Sequence, residues 1–146
     1  DTNDTETQEI DWIKSSAMFT RREVYDKVGG MDERFFMYSE ELDWCRRIKE
    51  AGWRIVYLPS AQIIHHEGKS SEQAIAQRDI YFHSSKVRYF RKYRGAFVAE
   101  ILRAFLLLTF VYRMVEESAK WFLGHKRALR AQRVKVYRRV VKSGLK

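Results

Sequence analysis

The second half of the chain constrains the fold most. After Ser71 there is no proline and little glycine, and the apolar residues recur at helical spacing from about Glu72 to Tyr93. Gly95 punctuates the pattern, and Ala96 to Val115 then forms the most hydrophobic stretch. That stretch carries Glu100, Arg103 and Arg113, and its uncharged run, Ala104 to Tyr112, falls far short of the roughly 20 apolar residues that cross a bilayer. A helix lying in a membrane interface is therefore expected rather than a spanning one. Past Gly124, Val134, Tyr137 and Val141 share one helical face while Arg133, Arg138 and Lys142 lie elsewhere, as in an amphipathic helix. Residues 96–146 are thus read as a basic, helical, membrane-associated extension and residues 1–95 as the domain that precedes it.

Charge follows the same division. Ten of the 28 Lys and Arg fall between Ser118 and the end with no acid among them, and the remaining bases nearly balance the 19 acids. A tail of this kind seeks an anionic surface, either lipid headgroups or nucleic acid, and charge alone does not choose between them. The apolar run from Ala104 to Tyr112 favours lipid, so an anionic membrane surface is the expected partner and nucleic acid is not. Cys45 is the single cysteine, which excludes an internal disulfide and fits a reducing compartment. Asp1 to Glu9 is polar and acidic with no apolar run, which reads as a frayed lead-in or a cut end rather than a signal peptide.

The first half has a mixed texture. Ile10 to Thr20 reads as a mostly buried strand, and Arg21 to Val28 as a short helix stopped by Gly29-Gly30. Ser39 is a candidate N-cap for a helix to about Ala51, with Leu42, Cys45 and Ile48 on one face and Gly52 as the stop. Trp53 to Leu58 and Ala61 to His65 are β-prone on either side of Pro59. Strand, helix, helix, strand, strand is an α/β pattern.

Two segments can carry chemistry. In Phe35-Phe36-Met37-Tyr38-Ser39-Glu40-Glu41-Leu42-Asp43-Trp44, three carboxylates open the helix directly behind an apolar wall suited to a sugar ring or lipid-linked acceptor. Acids in a first helical turn also simply complement the macrodipole. Beside such a wall, however, they can accept hydrogen bonds from hydroxyls, and one can take a proton as a hydroxyl attacks. Tyr38 and Trp44 either stack on the acceptor or pack in the core. In His65-His66-Glu67-Gly68-Lys69-Ser70, successive histidines on a strand point to opposite faces, so at most one faces the site. Gly68, Lys69 and Ser70 could order around a diphosphate through backbone N–H groups, an ammonium and a hydroxyl.

Taken in order, Asp11-Trp12, Arg21-Arg22-Glu23-Val24, Val28-Gly29-Gly30-Met31-Asp32-Glu33-Arg34-Phe35-Phe36-Met37-Tyr38, Glu40-Glu41-Leu42-Asp43, Ala51-Gly52-Trp53-Arg54 and His65 to Ser70 resemble the C-terminal half of family 2 glycosyltransferases, the rhamnosyltransferase-like subgroup above all. The resemblance covers about Ile10 to Gly95. It implies inverting transfer of a sugar from a nucleotide-sugar donor, dTDP-rhamnose among the candidates, to a hydroxyl of a saccharide or lipid-linked acceptor in bacterial cell-surface polysaccharide synthesis. It further implies a nucleotide-binding α/β fold and peripheral attachment to the cytoplasmic face of the inner membrane.

Residue by residue, the resemblance makes Glu41 the catalytic base, with Glu where the family usually has Asp. Glu40 and Asp43 are implied at the acceptor or the helix start. His65 is implied at a divalent metal, Mg or Mn, and Lys69 and Ser70 at the donor diphosphate. Lys14-Ser15-Ser16 stands where the family commonly reads Ser-Gly-Ala. No Asp-x-Asp occurs on an apolar strand, so most of the metal and donor site is expected in an N-terminal half outside this chain, on the same or a separate polypeptide. The rival reading is a non-enzymatic module whose basic helices bind membrane, nucleic acid or a protein partner.

Overall fold

Two strands of two residues each are all the sheet found among the described residues, 6–64, 75–124 and 126–146, of the computed structural model. β1 (Gln8–Glu9) pairs antiparallel with β2 (Val56–Tyr57), Gln8 opposite Tyr57 and Glu9 opposite Val56, and Ile10 N–H extends the ladder to Ile55 O at 3.0 Å. The chain divides into two compact units, Asp1–Glu67 and Gly68–Lys146.

In the first unit, α1 (Arg22–Val28) and α2 (Glu40–Glu50) follow the sequence pattern closely. Gly29 closes α1 at φ +79°, its N–H on Tyr25 O at 2.7 Å, and Gly52 follows α2 at φ +89°, where a side chain would strain the backbone. Val24, Trp44, Cys45, Ile48 and Ile55 form the core, with Ile10, Ile13, Met18, Val28 and Trp53 packed around them. Burying each large apolar side chain contributes about 1.5–3 kcal/mol. Cys45 also belongs to this core, and burial pushes its thiol above the ordinary range, so it acts as a small hydrophobe.

The strand readings are largely corrected. Ile10 to Thr20 is not a strand: β1 ends at Glu9, and Ser15–Ala17 make a single 3-10 turn. Ile10, Ile13 and Met18 reach the core from a segment that wraps it, while Phe19 projects outward, so the apolar residues do not alternate across a sheet. Residues 61–64 carry no strand either and are exposed. Among the described residues of this unit, helices are thus the main regular structure and the sheet is confined to two short strands.

The second unit holds α3 (Ile75–Arg94), α4 (Ala96–Phe122) and α5 (Arg127–Ser143). Gly95, at φ +86°, separates α3 from α4. α3, which the sequence places at the end of the first domain, packs against both other helices. The core joins Phe110, Val140 and Leu145, with Ile80, Leu106, Leu107, Tyr137 and Val141 around them. Of the face expected on α5, Tyr137 and Val141 pack here, and Val140 between them is the fully buried residue. Glu117 of α4 is buried yet paired: Arg130 of α5 donates to it at 2.7 and 2.9 Å and Arg133 at 3.1 Å. The Arg130 bond, ahead of Arg133, holds its carboxyl below the ordinary glutamate range.

α4 is apolar on its outer side as well. Phe97, Ile101, Phe105, Leu108, Tyr112 and Val115 recur every three or four residues and are all exposed. No described helix is long and apolar enough to cross a membrane.

Candidate active site

The turn that delivers the acidic pair is unlike anything its residue types suggest. Tyr38 (φ 69°) and Ser39 (φ 67°) both occupy the left-handed region without being glycine. Each such residue costs on the order of 1 kcal/mol and persists only where the surroundings over-determine it. Ser39 stands at the N-cap position, as expected, but its side chain makes no capping bond; its carbonyl accepts from Asp43 N–H at 2.9 Å. The apolar wall is divided. Phe35 turns inward and is buried, whereas Phe36 is 74% exposed, Met37 is exposed and Tyr38 is half-buried.

Behind this turn, Glu40 and Glu41 open α2. Each is half-buried, and each has one carboxylate oxygen, Oε2, that is buried and accepts no hydrogen bond. Burial raises the Glu40 carboxyl above its ordinary value; a bond from its own backbone N–H opposes this, and the charge of Glu41 adds to it. Buried polar atoms are ordinarily satisfied, because leaving one unbonded costs about 1–3 kcal/mol. Two adjacent orphans of one kind mark a place where hydroxyl donors would be welcome.

Asp43 lies apart from this pair. It is fully buried, its Oδ2 accepts from Arg47 Nε at 2.8 Å, and Arg47 also donates to Val28 O at 2.9 Å and Gly30 O at 2.7 Å. With no exposed oxygen, Asp43 cannot reach an acceptor in this conformation; it ties α2 to the loop after α1. Trp44 is core packing too, its indole N–H donating to Gly29 O at 2.8 Å, although one edge lines an open groove with Met18, Thr20, Arg22 and Tyr25. Sequence reasoning missed Arg47 and the Tyr38–Ser39 turn. An arginine four residues after a buried aspartate was the available signal for the first; nothing in the residue types announces the second.

His65, His66, Lys69 and Ser70 lie outside the described residues. Among the described residues no three His, Cys, Asp or Glu side chains gather to hold a metal ion. His65, which the resemblance implies at a divalent ion, is not among these residues, and what the described residues offer for chemistry is the pair of carboxylates.

The Glyco_tranf_2_3 family, "Glycosyltransferase like family 2", matches residues 7–79, which span β1, α1, the acidic turn, α2 and β2. The chain belongs to that family. It is 40% identical over 76 residues to the N-acetylglucosaminyl-diphospho-decaprenol L-rhamnosyltransferase of Mycobacterium tuberculosis, covering 52% of this chain and 25% of that protein. It is 31% identical over 85 residues to the rhamnosyltransferase WbbL of Escherichia coli (58% and 32%), and 33% identical over 84 residues to the dTDP-rhamnosyl transferase RfbF of Shigella flexneri (58% and 28%). The chain thus spans about a quarter to a third of the length of these relatives. No solved structure matches it.

Proposed function

We propose that the chain carries the acceptor-binding and catalytic part of an inverting glycosyltransferase, moving a sugar from a nucleotide-sugar donor to a hydroxyl of a saccharide or lipid-linked acceptor in bacterial cell-surface polysaccharide synthesis. Family membership supports sugar transfer, and the activities for which the relatives are named support rhamnose, with dTDP-rhamnose as donor. The observation that carries the reading is the Glu40–Glu41 pair, each with an unbonded buried oxygen behind a strained turn.

Glu41 takes the acceptor hydroxyl's proton as that oxygen bonds to the anomeric carbon. The carbon–oxygen bond to the diphosphate breaks, and its electron pair leaves with the diphosphate, inverting the centre. Glu40 lends a second carboxyl to the acceptor's hydroxyls, and Phe36 and Tyr38 offer ring faces to the sugar. Lys69 and Ser70 are proposed at the donor diphosphate and His65 at its metal. The outer stripe of α4 and the basic α5 support docking on the anionic cytoplasmic face of the inner membrane.

In the full-length enzyme, Glu41→Gln should lower turnover by roughly 10² to 10⁴-fold, the range for a lost general base, with donor affinity unchanged. Retention of most turnover would return both glutamates to helix-end electrostatics.

A further inference from the structure

The outer face of α4 has a period, and the period is not that of a lone helix. Val98, Phe105, Tyr112 and Ala119 follow one another every seven residues, and so do Ile101, Leu108, Val115 and Phe122. The two sets interleave in alternating steps of three and four, and every one of these residues is exposed. A straight α-helix drifts by about 20° per heptad against such a repeat, so a helix resting on a flat surface has no need of it. A seam that keeps strict sevens from Val98 to Phe122 fits a second helix wound against it.

The seam is also prepared for dry contact. It carries no charged residue, and the polar groups beside it are turned back onto their own helix. Thr109 Oγ1 donates to Phe105 O at 2.9 Å, Ser118 Oγ donates to Met114 O at 2.8 Å, and Glu116 pairs with Lys120. Phe105, Leu108 and Tyr112, at the middle of the seam, are 65, 66 and 69% exposed. Taking about 150–250 Å² for each aromatic side chain, the exposed part of the seam with Phe97 beside it amounts to roughly 800 Å² per chain, and a standard stable interface buries about 800 Å² per partner.

Side-chain sizes then select a direction. With two copies of α4 antiparallel about a two-fold axis at the level of position 110, Val98 faces the partner's Phe122, Ile101 the partner's Ala119, Phe105 the partner's Val115 and Leu108 the partner's Tyr112. Each layer sets a larger side chain against a smaller one. Run parallel, each residue would meet its own copy, with Tyr112 crowding the partner's Tyr112 and Ala119 leaving a gap at the partner's Ala119.

We infer that in water the chain pairs with a second copy of itself through this seam, as an antiparallel two-fold dimer. The inference does not rest on the transferase reading and goes beyond the membrane reading. Lipid and the second copy compete for one stripe, so the dimer is the form of the chain away from a bilayer.

Sedimentation equilibrium of the whole chain, without lipid or detergent, tests this. The parent should be a dimer at micromolar concentration, and Leu108→Glu, which puts a charge at the centre of the seam, should raise the dissociation constant at least tenfold. Phe19→Glu, at an exposed aromatic of the first unit, should change it less than twofold. Leu108 points outward, and circular dichroism checks that its variant keeps the helices. Cysteine pairing gives a second readout that needs no disruptive change: on mild oxidation, Val98→Cys chains mixed with Phe122→Cys chains should crosslink to each other, and neither should crosslink to itself. Cys45 is buried and stays out of the reaction. Self-crosslinking of either variant alone would overturn the antiparallel assignment. A parent that stays monomeric in buffer while binding anionic vesicles would give the stripe to lipid alone and overturn the proposal. Equal effects of Phe19→Glu and Leu108→Glu, or an open-ended series of larger species, would do the same.

Discussion

Replacing Arg47 by methionine tests the scaffold that holds the acidic turn. The guanidinium satisfies three acceptors, the fully buried Asp43 carboxylate and the carbonyls of Val28 and Gly30. Methionine keeps the stem and removes every donor. Stripping one partner from a buried ion pair costs about 3–5 kcal/mol. The first-turn position of Asp43 returns about 0.3–1 kcal/mol through the helix dipole. The Arg47 side chain is 22% exposed, so water can reach the orphaned carbonyls and their loss adds little. The net is about 3 kcal/mol, roughly two orders of magnitude in the folding equilibrium, against the 5–15 kcal/mol typical of a whole domain. Urea unfolding followed by tryptophan fluorescence reads it, since Trp44 sits in the same core. The double variant Asp43→Asn/Arg47→Met, which removes the buried charge together with its partner, should recover at least about 1 kcal/mol of the loss. An Arg47→Met protein within 1 kcal/mol of the parent would refute the reasoning and reopen Asp43 as an acceptor ligand.

Glu40 makes stability depend on pH in the direction opposite to a salt-bridged acid. Its folded-state value is raised, so the folded chain holds the proton more tightly, and the group's contribution is greatest below the ordinary glutamate value and declines as pH rises through the window above it. Glu40→Gln should therefore melt higher than the parent at neutral pH and lose that advantage on acidification, while turnover falls; a lower melting temperature at pH 7 would contradict the assignment. For membrane docking, the chain should sediment with anionic vesicles, high salt should weaken this only in part because the α4 stripe acts alongside the charges, and alkaline carbonate should release it. Full retention after carbonate would count against a surface-bound helix.

The helices were legible in the sequence because their signals are local. Gly29, Gly52 and Gly95 stand where left-handed backbone is needed, and the apolar spacing of α2 to α5 needs no knowledge of distant residues. Strands depend on partners instead, and the residues from Ile10 to Thr20 follow the core's contour rather than a neighbouring strand. The acidic pair was found from residue types alone. Its separation from Asp43 was not, because three acids in a row of four positions look alike until Arg47 claims one of them. The turn at Tyr38 and Ser39 lacks the glycine by which such a backbone is ordinarily announced.

The loop between α1 and its neighbour is gripped in one direction only. Arg47 reads the carbonyls of Val28 and Gly30, and Trp44 reads the carbonyl of Gly29 between them. Every residue type presents a carbonyl, so the grip places no demand on the side chains it holds. Position 29 is limited by its own backbone angle, and at position 30 an added methyl would meet only the Tyr25 ring at 3.4 Å. The two gripping residues have no such latitude, since neither lysine nor phenylalanine reproduces their donors. Sequence drift in this region should thus be lopsided: the loop can change its letters and keep its path, whereas the helix that reads it must keep its letters for the loop to have a path at all.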